Sequence, residues 1–401
     1  MIVLFVSLTV LLFSPQSARA FEVVLNAQGE FLDAYLVNGK PFPPKVVFID
    51  PDPPAPDDPH GPPPRVGRHV NGNVCFFPKG FGHDGQFVIA DDTYREACID
   101  RHPPQARCRV RRRRSRFYVG KDPDGWGVFR RDGRWTRRHI HTRWDFSAPQ
   151  PQGNIDPQGC AFDAKGNFWG TDVGHGADLK ADGSLVVFFP GKRKRYDRYC
   201  FVDKALAAPV MPTFDGAGNL LVPEPLAGRV TKFSPPFPSS VADCANPEHL
   251  VTTPPTKTTF ITARDSGEAT PAGIVRLRSV GHYYISSPLP PVINEYDQDG
   301  LFVRNIVPSG VARNPLGEDV GSDGTLYYSE VNLDPVTFDT HCGSVSMVRF
   351  DAAGQPQPPE LLGRNLSFPD GVTVVDSSRF AVDFTKLPPA VEPDPASCGG
   401  E

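Results

Sequence analysis

Five carboxylates stand at the same place in a recurring pattern. Asp91, Asp172, Glu224, Glu330 and Asp383 close the short runs FVIAD, FWGTD, LLVPE, LYYSE and RFAVD, and a sixth run, YYISS, ends in Ser287. Carboxylates gathered at one end of a set of strands suit cations or a polyhydroxylated ligand. The competing role is local, because an Asp at such a position also caps its own turn by accepting backbone N–H bonds. His175, in DVGHGAD beside Asp172, is the candidate general acid–base. His139 and His141 share one strand face as a possible metal pair. A basic stretch, RCRVRRRRSR at 107–116, contains Arg111 and Arg112 and runs on through RRDGRWTRRHIHTRW. With Trp126, Trp135 and Trp144 interleaved, it suits an anionic polymer or surface. The bland alternative is a solvated excursion stapled by Cys98 and Cys108, with the tryptophans packed inside. The formal charge of −4 and an exported chain argue against nucleic acid as the partner. The sequence has no G-x-S-x-G elbow, no H-E-x-x-H and no P-loop. DQDG at 297–300 and DPDG at 122–125 lack the spacing and terminal Glu of a calcium loop and read as hairpin turns.

The elements that must position these groups are strands. PQGCAFDAKGNFWGTD (157–172), PVMPTFDGAGNLLVPE (209–224) and PLGEDVGSDGTLYYSE (315–330) share one sixteen-residue pattern. Variants lie at 78–91, 271–287 and 369–383. Each is an apolar strand, a tight turn and a second strand rich in aromatic and β-branched residues. The turns carry Asp84-Gly85, Gly166-Asn167 and Asp323-Gly324, suited to left-handed backbone. Further strands follow most copies, so the expectation is an all-β, six-bladed β-propeller. The sixth copy has no outer strands after it, and FEVVLN, FLDAYLVNG and KVVFID near the N-terminus are the candidates to close the ring. With 45 prolines and 37 glycines in 401 residues, the composition suits short strands and turns rather than long helices.

The expected organisation is a signal peptide over 1–20, a propeller over 21–385 and a tail over 386–401. The propeller carries a proline-rich strap at 51–69 and a basic, cysteine-containing loop insertion at 93–116. The signal reading rests on an apolar run, Pro15 and an Ala18-Arg19-Ala20 cleavage pattern. No later stretch is apolar enough to cross a membrane. Eight cysteines fit an oxidising compartment, secreted or periplasmic; their pairing is not readable, with Cys98–Cys108 the best local pair. No C-x-x-C occurs, which argues against structural zinc.

The P-x-G residues Gly80, Gly159, Gly273, Gly317 and Gly371, with the D-x-x-G-N pattern clearest at Asp163–Asp172, resemble the NHL-repeat and SMP-30/gluconolactonase-like six-bladed propellers. The resemblance spans roughly 70–385. For enzymes of that group it implies a divalent metal, usually calcium, held at the propeller axis by Glu, Asn and Asp side chains. Asp370 in FPDGV matches the P-D-G position. The equivalent positions elsewhere are Lys79, Gln158, Ala272 and Leu316, of which only Gln158 offers a side-chain oxygen. The leading expectation is therefore a ligand- or partner-binding propeller using one face. The alternatives are a calcium-dependent hydrolase of lactones or related esters centred on Asp370, and an anionic-surface module working through the basic loop.

Overall fold

The computed structural model describes residues 21–28, 31–37, 45–49, 70–80, 85–91, 109–112, 115–118, 125–133, 135–142, 156–174, 181–191, 195–245, 249–262, 269–333, 342–366, 368–382 and 384. These residues form strands grouped in six radial sheets. The chain begins with β1 (Glu22–Gln28), β2 (Phe31–Val37) and β3 (Lys45–Ile49). Blade I follows with β4 (Val70–Phe76) and β5 (Phe87–Asp91). A separate hairpin, β6 (Arg109–Arg112) and β7 (Ser115–Tyr118), precedes its outer strands β8 (Gly125–Phe129) and β9 (Trp135–Ile140). Blade II is β10 (Pro157–Phe162), β11 (Phe168–Asp172), β12 (Gly183–Phe189) and β13 (Arg198–Leu206). Blade III contributes β14 (Thr213–Phe214), β15 (Leu220–Glu224) and β16 (Arg229–Ser234). The chain then sends β17 (Cys244–Ala245) and β18 (Leu250–Val251) back to the outer edge of blade II, before β19 (Thr256–Thr262) completes blade III. Blade IV is β20 (Ile274–Arg276), β21 (Tyr283–Pro288), β22 (Pro291–Tyr296) and β23 (Phe302–Val307). Blade V is β24 (Pro315–Val320), β25 (Leu326–Glu330), β26 (Gly343–Val348) and β27 (Glu360–Leu366), and β28 (Pro369–Asp376) opens blade VI.

Blade VI has the order β28-β1-β2-β3, so the N-terminal strands close the ring. Around the axis, each innermost strand touches the next: β4, β10, β14, β20, β24, β28 and back to β4. There is no single core. Six apolar clusters fill the six seams between blades, and most second strands are buried on both faces because each packs against two neighbours. That double burial explains why FVIAD, FWGTD and LYYSE read as continuous apolar runs rather than as alternation. Outer strands such as β19 are largely exposed and carry Lys and Thr.

The recurring D-x-x-G-N segment is a turn device. Asp163 Oδ1 accepts from the N–H groups of Lys165 and Asn167, each at 2.9 Å, and Gly166 takes a φ of +77°. Asp215 and Gly218 repeat the arrangement in blade III, with Oδ1 accepting from Ala217 and Asn219 at 2.8 Å. Asp297 in DQDG does the same between β22 and β23, as the hairpin reading of that segment expects.

Two strand assignments differ from the sequence reading. The innermost strand of blade I is not at 78–80 but at Val70–Phe76. Val70 pairs with Asp91 as Pro157 pairs with Asp172 and Pro315 with Glu330. Gly72, not Gly80, therefore occupies the glycine position, and Asn71, not Lys79, the residue before it. The missing proline and the long 77–86 connection hid this strand. In blade VI, β28 pairs with β1 and not with the 379–383 segment; residues 377–379 form a 3-10 turn instead. The N-terminus thus supplies three strands, and Gln28 sits opposite Pro369, where Asp383 was expected. A seven-residue strand, EVVLNAQ, gives a longer ladder than RFAVD can.

Two disulfides lie among the described residues. Cys75–Cys160 joins the innermost strands of blades I and II, with Cα atoms 6.0 Å apart. Cys200–Cys244 ties β13 to β17, at 5.7 Å. Cys98 and Cys108, the proline-rich strap at 51–69 and the tail from 386 lie outside the described residues.

Candidate functional site at the mouth of the propeller

The face where the second strands end and the innermost strands begin is built from two sets of residues. Near the axis, every glycine of the repeat lies against the next blade. A Cβ on Gly72 would overlap the Gln158 carbonyl, and one on Gly371 would overlap the Gly72 carbonyl. One on Gly317 would lie 2.6 Å from the Asp370 carbonyl oxygen. The P-x-G glycine is thus a requirement of backbone approach between blades.

A hydroxyl one residue before the acid position ties this contact together. Thr171 Oγ1 accepts from Gly159 N–H at 2.9 Å and donates to the Val210 carbonyl of blade III at 3.0 Å. Ser286 accepts from Gly273 N–H at 2.9 Å and donates to the Leu316 carbonyl of blade V at 2.5 Å. Ser329 accepts from Gly317 N–H at 3.0 Å and donates to the Asp370 carbonyl of blade VI at 2.7 Å. These three hydroxyls were overlooked in the sequence, although TD, SS and SE at matching places carried the signal.

Asp370 is buried, and its Oδ2 accepts from the Gly72 N–H at 2.7 Å, across from blade VI to blade I. Glu318, on β24, is also buried and lies beside Gly273, and Asn71 is buried on β4. The strands carrying Asn71, Glu318 and Asp370 touch in sequence around the axis. Gln158 is half-buried on β10. Among the described residues, no group of three or more His, Cys, Asp and Glu side chains is gathered as a metal site.

The acids form the second set, in blades I, II, III and V, each bonded within its own sheet and loops, with Ser287 at the position in blade IV and Gln28 in blade VI. Asp172 Oδ1 accepts from the N–H groups of Asp156 at 3.0 Å and Gly174 at 2.9 Å, pinning the loops on both sides of the strand pair. Glu224 accepts from Ala207 N–H at 2.9 Å, from Arg229 through two bonds of 3.0 Å, and from Thr231. Burial pushes its carboxyl up, but the bonds from Arg229, Thr231 and Ala207 outweigh that and hold it below the ordinary carboxylate range. Glu330 accepts from Arg313 N–H at 2.7 Å, Ser344 at 2.9 Å and Ser346 at 3.3 Å. Among the described residues no guanidinium is bonded to it, and burial wins, so its carboxyl is raised. Asp91 accepts from or shares a proton with His139 Nε2 at 2.9 Å, in a buried pair. His141 Nδ1 instead lies 2.6 Å from the Thr142 carbonyl. Ser287, at the blade IV position, donates to the Leu289 carbonyl at 3.2 Å.

His175 and Asp383 lie outside the described residues. Arg111 and Arg112 lie on β6, opposite Arg116 and Ser115, so part of the expected loop is a hairpin. Trp126 is buried in the seam between blades I and II and donates Nε1–H to the Gly159 carbonyl at 3.1 Å.

No protein-family model matches the sequence, and no curated protein matches it. Among solved structures, a chain of a nidogen/laminin complex is 12% identical, covers 89% of this chain and 99% of its own length, and has a TM-score of 0.49. A catalytically inactive virginiamycin B lyase from Staphylococcus aureus, with quinupristin, is 10% identical over 90% of this chain and 94% of its own, with a TM-score of 0.45. A calcium-binding protein, regucalcin, from Agrobacterium tumefaciens strain C58 is 14% identical over 77% and 78%, with a TM-score of 0.42. The class defined by the sheet order and the closed ring is the six-bladed β-propeller. At such identities, likeness is a matter of fold and leaves the chemistry to be argued from the chain's own residues.

Proposed function

We propose that this chain is an exported propeller of the NHL/SMP-30-like kind that binds a small molecule or a protein partner on the face framed by Asp172, Glu224 and Glu330. The observation that carries this reading is the way buried carboxylates fasten the loops of that face to the ends of the second strands. A fixed platform loses little conformational freedom on association, which favours binding. Gln158 is half-buried near the axis, and in this reading it is the side chain that meets the occupant. Export is supported by the two disulfides. Among the described residues, no helix is long and apolar enough to cross a membrane.

A second reading, a calcium-dependent hydrolase of lactones or related esters, is favoured by one observation. The corrected strand assignment puts Asn71 in place of Lys79, so that Asn71, Glu318 and Asp370 stand on three successive innermost strands. All three are hard oxygen donors of the type calcium takes, and one Asp370 oxygen is already engaged by Gly72 N–H. The chemistry supplied by calcium bound there is polarisation of an ester or lactone carbonyl. Asp370 also fixes blade I against blade VI, so its ring position survives without a ligand.

The experiment uses the purified mature chain and thermal shifts against calcium chloride, defined oligosaccharides and simple lactones. Saturable stabilisation by one compound, without turnover and lost in Gln158→Ala, supports the binding reading. Calcium-dependent lactone hydrolysis, abolished in Asp370→Asn while the fold persists, overturns it in favour of the hydrolase.

A further inference from the structure

Away from the axis, on the outer rim between blades I and II, the structure holds a cleft of about 320 Å³. Its floor is apolar: Phe77, Val128, Ile140 and Tyr196, all buried. Phe77 packs on Phe162 and Tyr196 with ring centroids 5.0 and 5.7 Å away and ring planes tilted by 47° and 50°, which fixes an angled aromatic wall. The Tyr196 hydroxyl donates to the Gly166 carbonyl at 2.7 Å, and burial pushes the phenol well up, so the ring stays neutral. The rim is charged. Arg138 projects from β9 and Arg195 from the β12–β13 connection, both exposed, and Asp197 stands beside them. Among the described residues, neither guanidinium has an acidic or hydrogen-bonding partner. Their backbone carbonyls are engaged, by Trp135 Nε1–H and Gly191 N–H.

We infer that this cleft is a binding site for an aromatic monocarboxylate: a flat ring on the Phe77–Tyr196 wall and a carboxylate between Arg138 and Arg195. A guanidinium fork matches a carboxylate in geometry and charge, and the floor rewards a ring with area removed from water. The volume sits at the small end of the range for small-molecule pockets, which suits one or two fused rings. Asp197 at the rim repels a second anionic group and accepts a bond from a hydroxyl. This selects monoanions over dianions. The site is distinct from the acids at the mouth of the propeller, and His139, which also lines the cleft, is its one link to them through Asp91. The Cys75–Cys160 disulfide joins the two blades that form it, so the walls are held at a fixed separation.

The test is isothermal titration of the full-length mature protein with sodium 2-naphthoate, alongside 2-naphthylmethanol and sodium acetate. Saturable naphthoate binding, with the neutral alcohol and acetate each at least tenfold weaker, is expected. Arg138→Gln and Arg195→Gln should each weaken naphthoate about tenfold, the worth of one charge-assisted contact. Both arginines are exposed, so the variants fold, and an unchanged melting temperature verifies this. Equal binding of naphthoate by wild type and both variants overturns the inference. So does retention of the wild type on dextran sulfate, lost in both variants, without measurable naphthoate binding; that pattern describes a polyelectrolyte face. Naphthoate and acetate binding equally would also overturn it, since the floor would then contribute nothing.

Discussion

Blade I is held on its two sides by different means. Towards blade II the join adds a covalent link and polar bonds to its apolar packing. Cys75 is bonded to Cys160, the Asn73 amide exchanges two 2.9 Å bonds with the Cys160 backbone, and Trp126 donates to Gly159. Towards blade VI the join brings together segments from opposite ends of the chain and rests on hydrogen bonds and rings. Asp370 accepts from Gly72 N–H, and Thr373 Oγ1 from Val74 N–H at 2.9 Å. Arg131 donates to the Arg379 and Ser378 carbonyls at 2.8 and 2.7 Å, clamping the turn after β28. Phe380 packs edge-on to Phe76, Phe87 and Phe384, sealing the seam. Blades I and II, already linked through continuous chain, also receive a cross-link, whereas among the described residues the closing seam has none and is sealed by side-chain packing and hydrogen bonds. Both seams are packed with aromatic side chains, Trp126 lying edge-on to Phe168 and Phe188 on the blade II side, so what sets the two apart is the covalent link.

The largest expected effect lies where both sides meet. Gly72 has a φ of +68°, its N–H bonds Asp370, its carbonyl meets Gly371, and a Cβ would strike Gln158. Gly72→Ala combines overpacking with left-handed strain and should cost about 4–5 kcal/mol, measured by denaturant unfolding. A neutral result would refute the placement of β4 as the innermost strand. Next, Phe380→Ala should cost about 3–4 kcal/mol, because the plug is buried and its neighbours are rigid. The loss should be the same in reduced protein, since the disulfide lies in the other seam. Removing Cys75–Cys160 by paired alanine substitution should cost about 2–3 kcal/mol for a bridge spanning 85 residues. Combined with Phe380→Ala it should add within about 0.5 kcal/mol; strong coupling would show that the seams do not act separately.

The smallest effect tests the other flank of β28. Asp319, on β24, accepts from Val374 N–H at 2.7 Å, and burial raises its carboxyl to about 6 despite that bond and the one from Val320. A folded value above the ordinary one means that the native state holds the proton longer. This contribution is therefore full below about pH 4 and is lost as pH rises through 6. Asp319 is partly exposed, so the change should be on the order of 1 kcal/mol. Asp319→Asn keeps an acceptor for Val374 and should flatten that slope in melting temperatures measured from pH 4 to 7. A slope unchanged in the variant would assign it elsewhere, Glu330 being the other raised carboxyl among the described residues.

Much of the architecture was legible in the chain itself. Aromatic and β-branched runs, D-x-x-G-N turns and the P-x-G glycines recur within sixteen residues and are visible locally, although the glycines answer to the backbone of the neighbouring blade. Six recurrences and the strands left at the N-terminus were enough to expect a closed ring of six blades. Of the site, the chain displayed Asp172, Glu224, Glu330 and Asp370 by type and position. It did not show whether their oxygens point to solvent or to the loops. The fold turns them inward, to Gly174, Arg229, Arg313 and Gly72.

Tertiary structure alone decided which segments meet. Pairing of β28 with β1 joins residues some 350 apart, and the choice of EVVLNAQ over RFAVD depends on ladder length and seam packing, not on any local pattern. Asn71 reached the axial position only through the register of Val70 with Asp91, because no proline marked that strand. The Cys75–Cys160 pairing and the cleft beside Arg138 and Arg195 likewise arise between blades. Local sequence sets the angles of the backbone; contacts between distant strands are selected by the burial they achieve together, and no single segment encodes that sum.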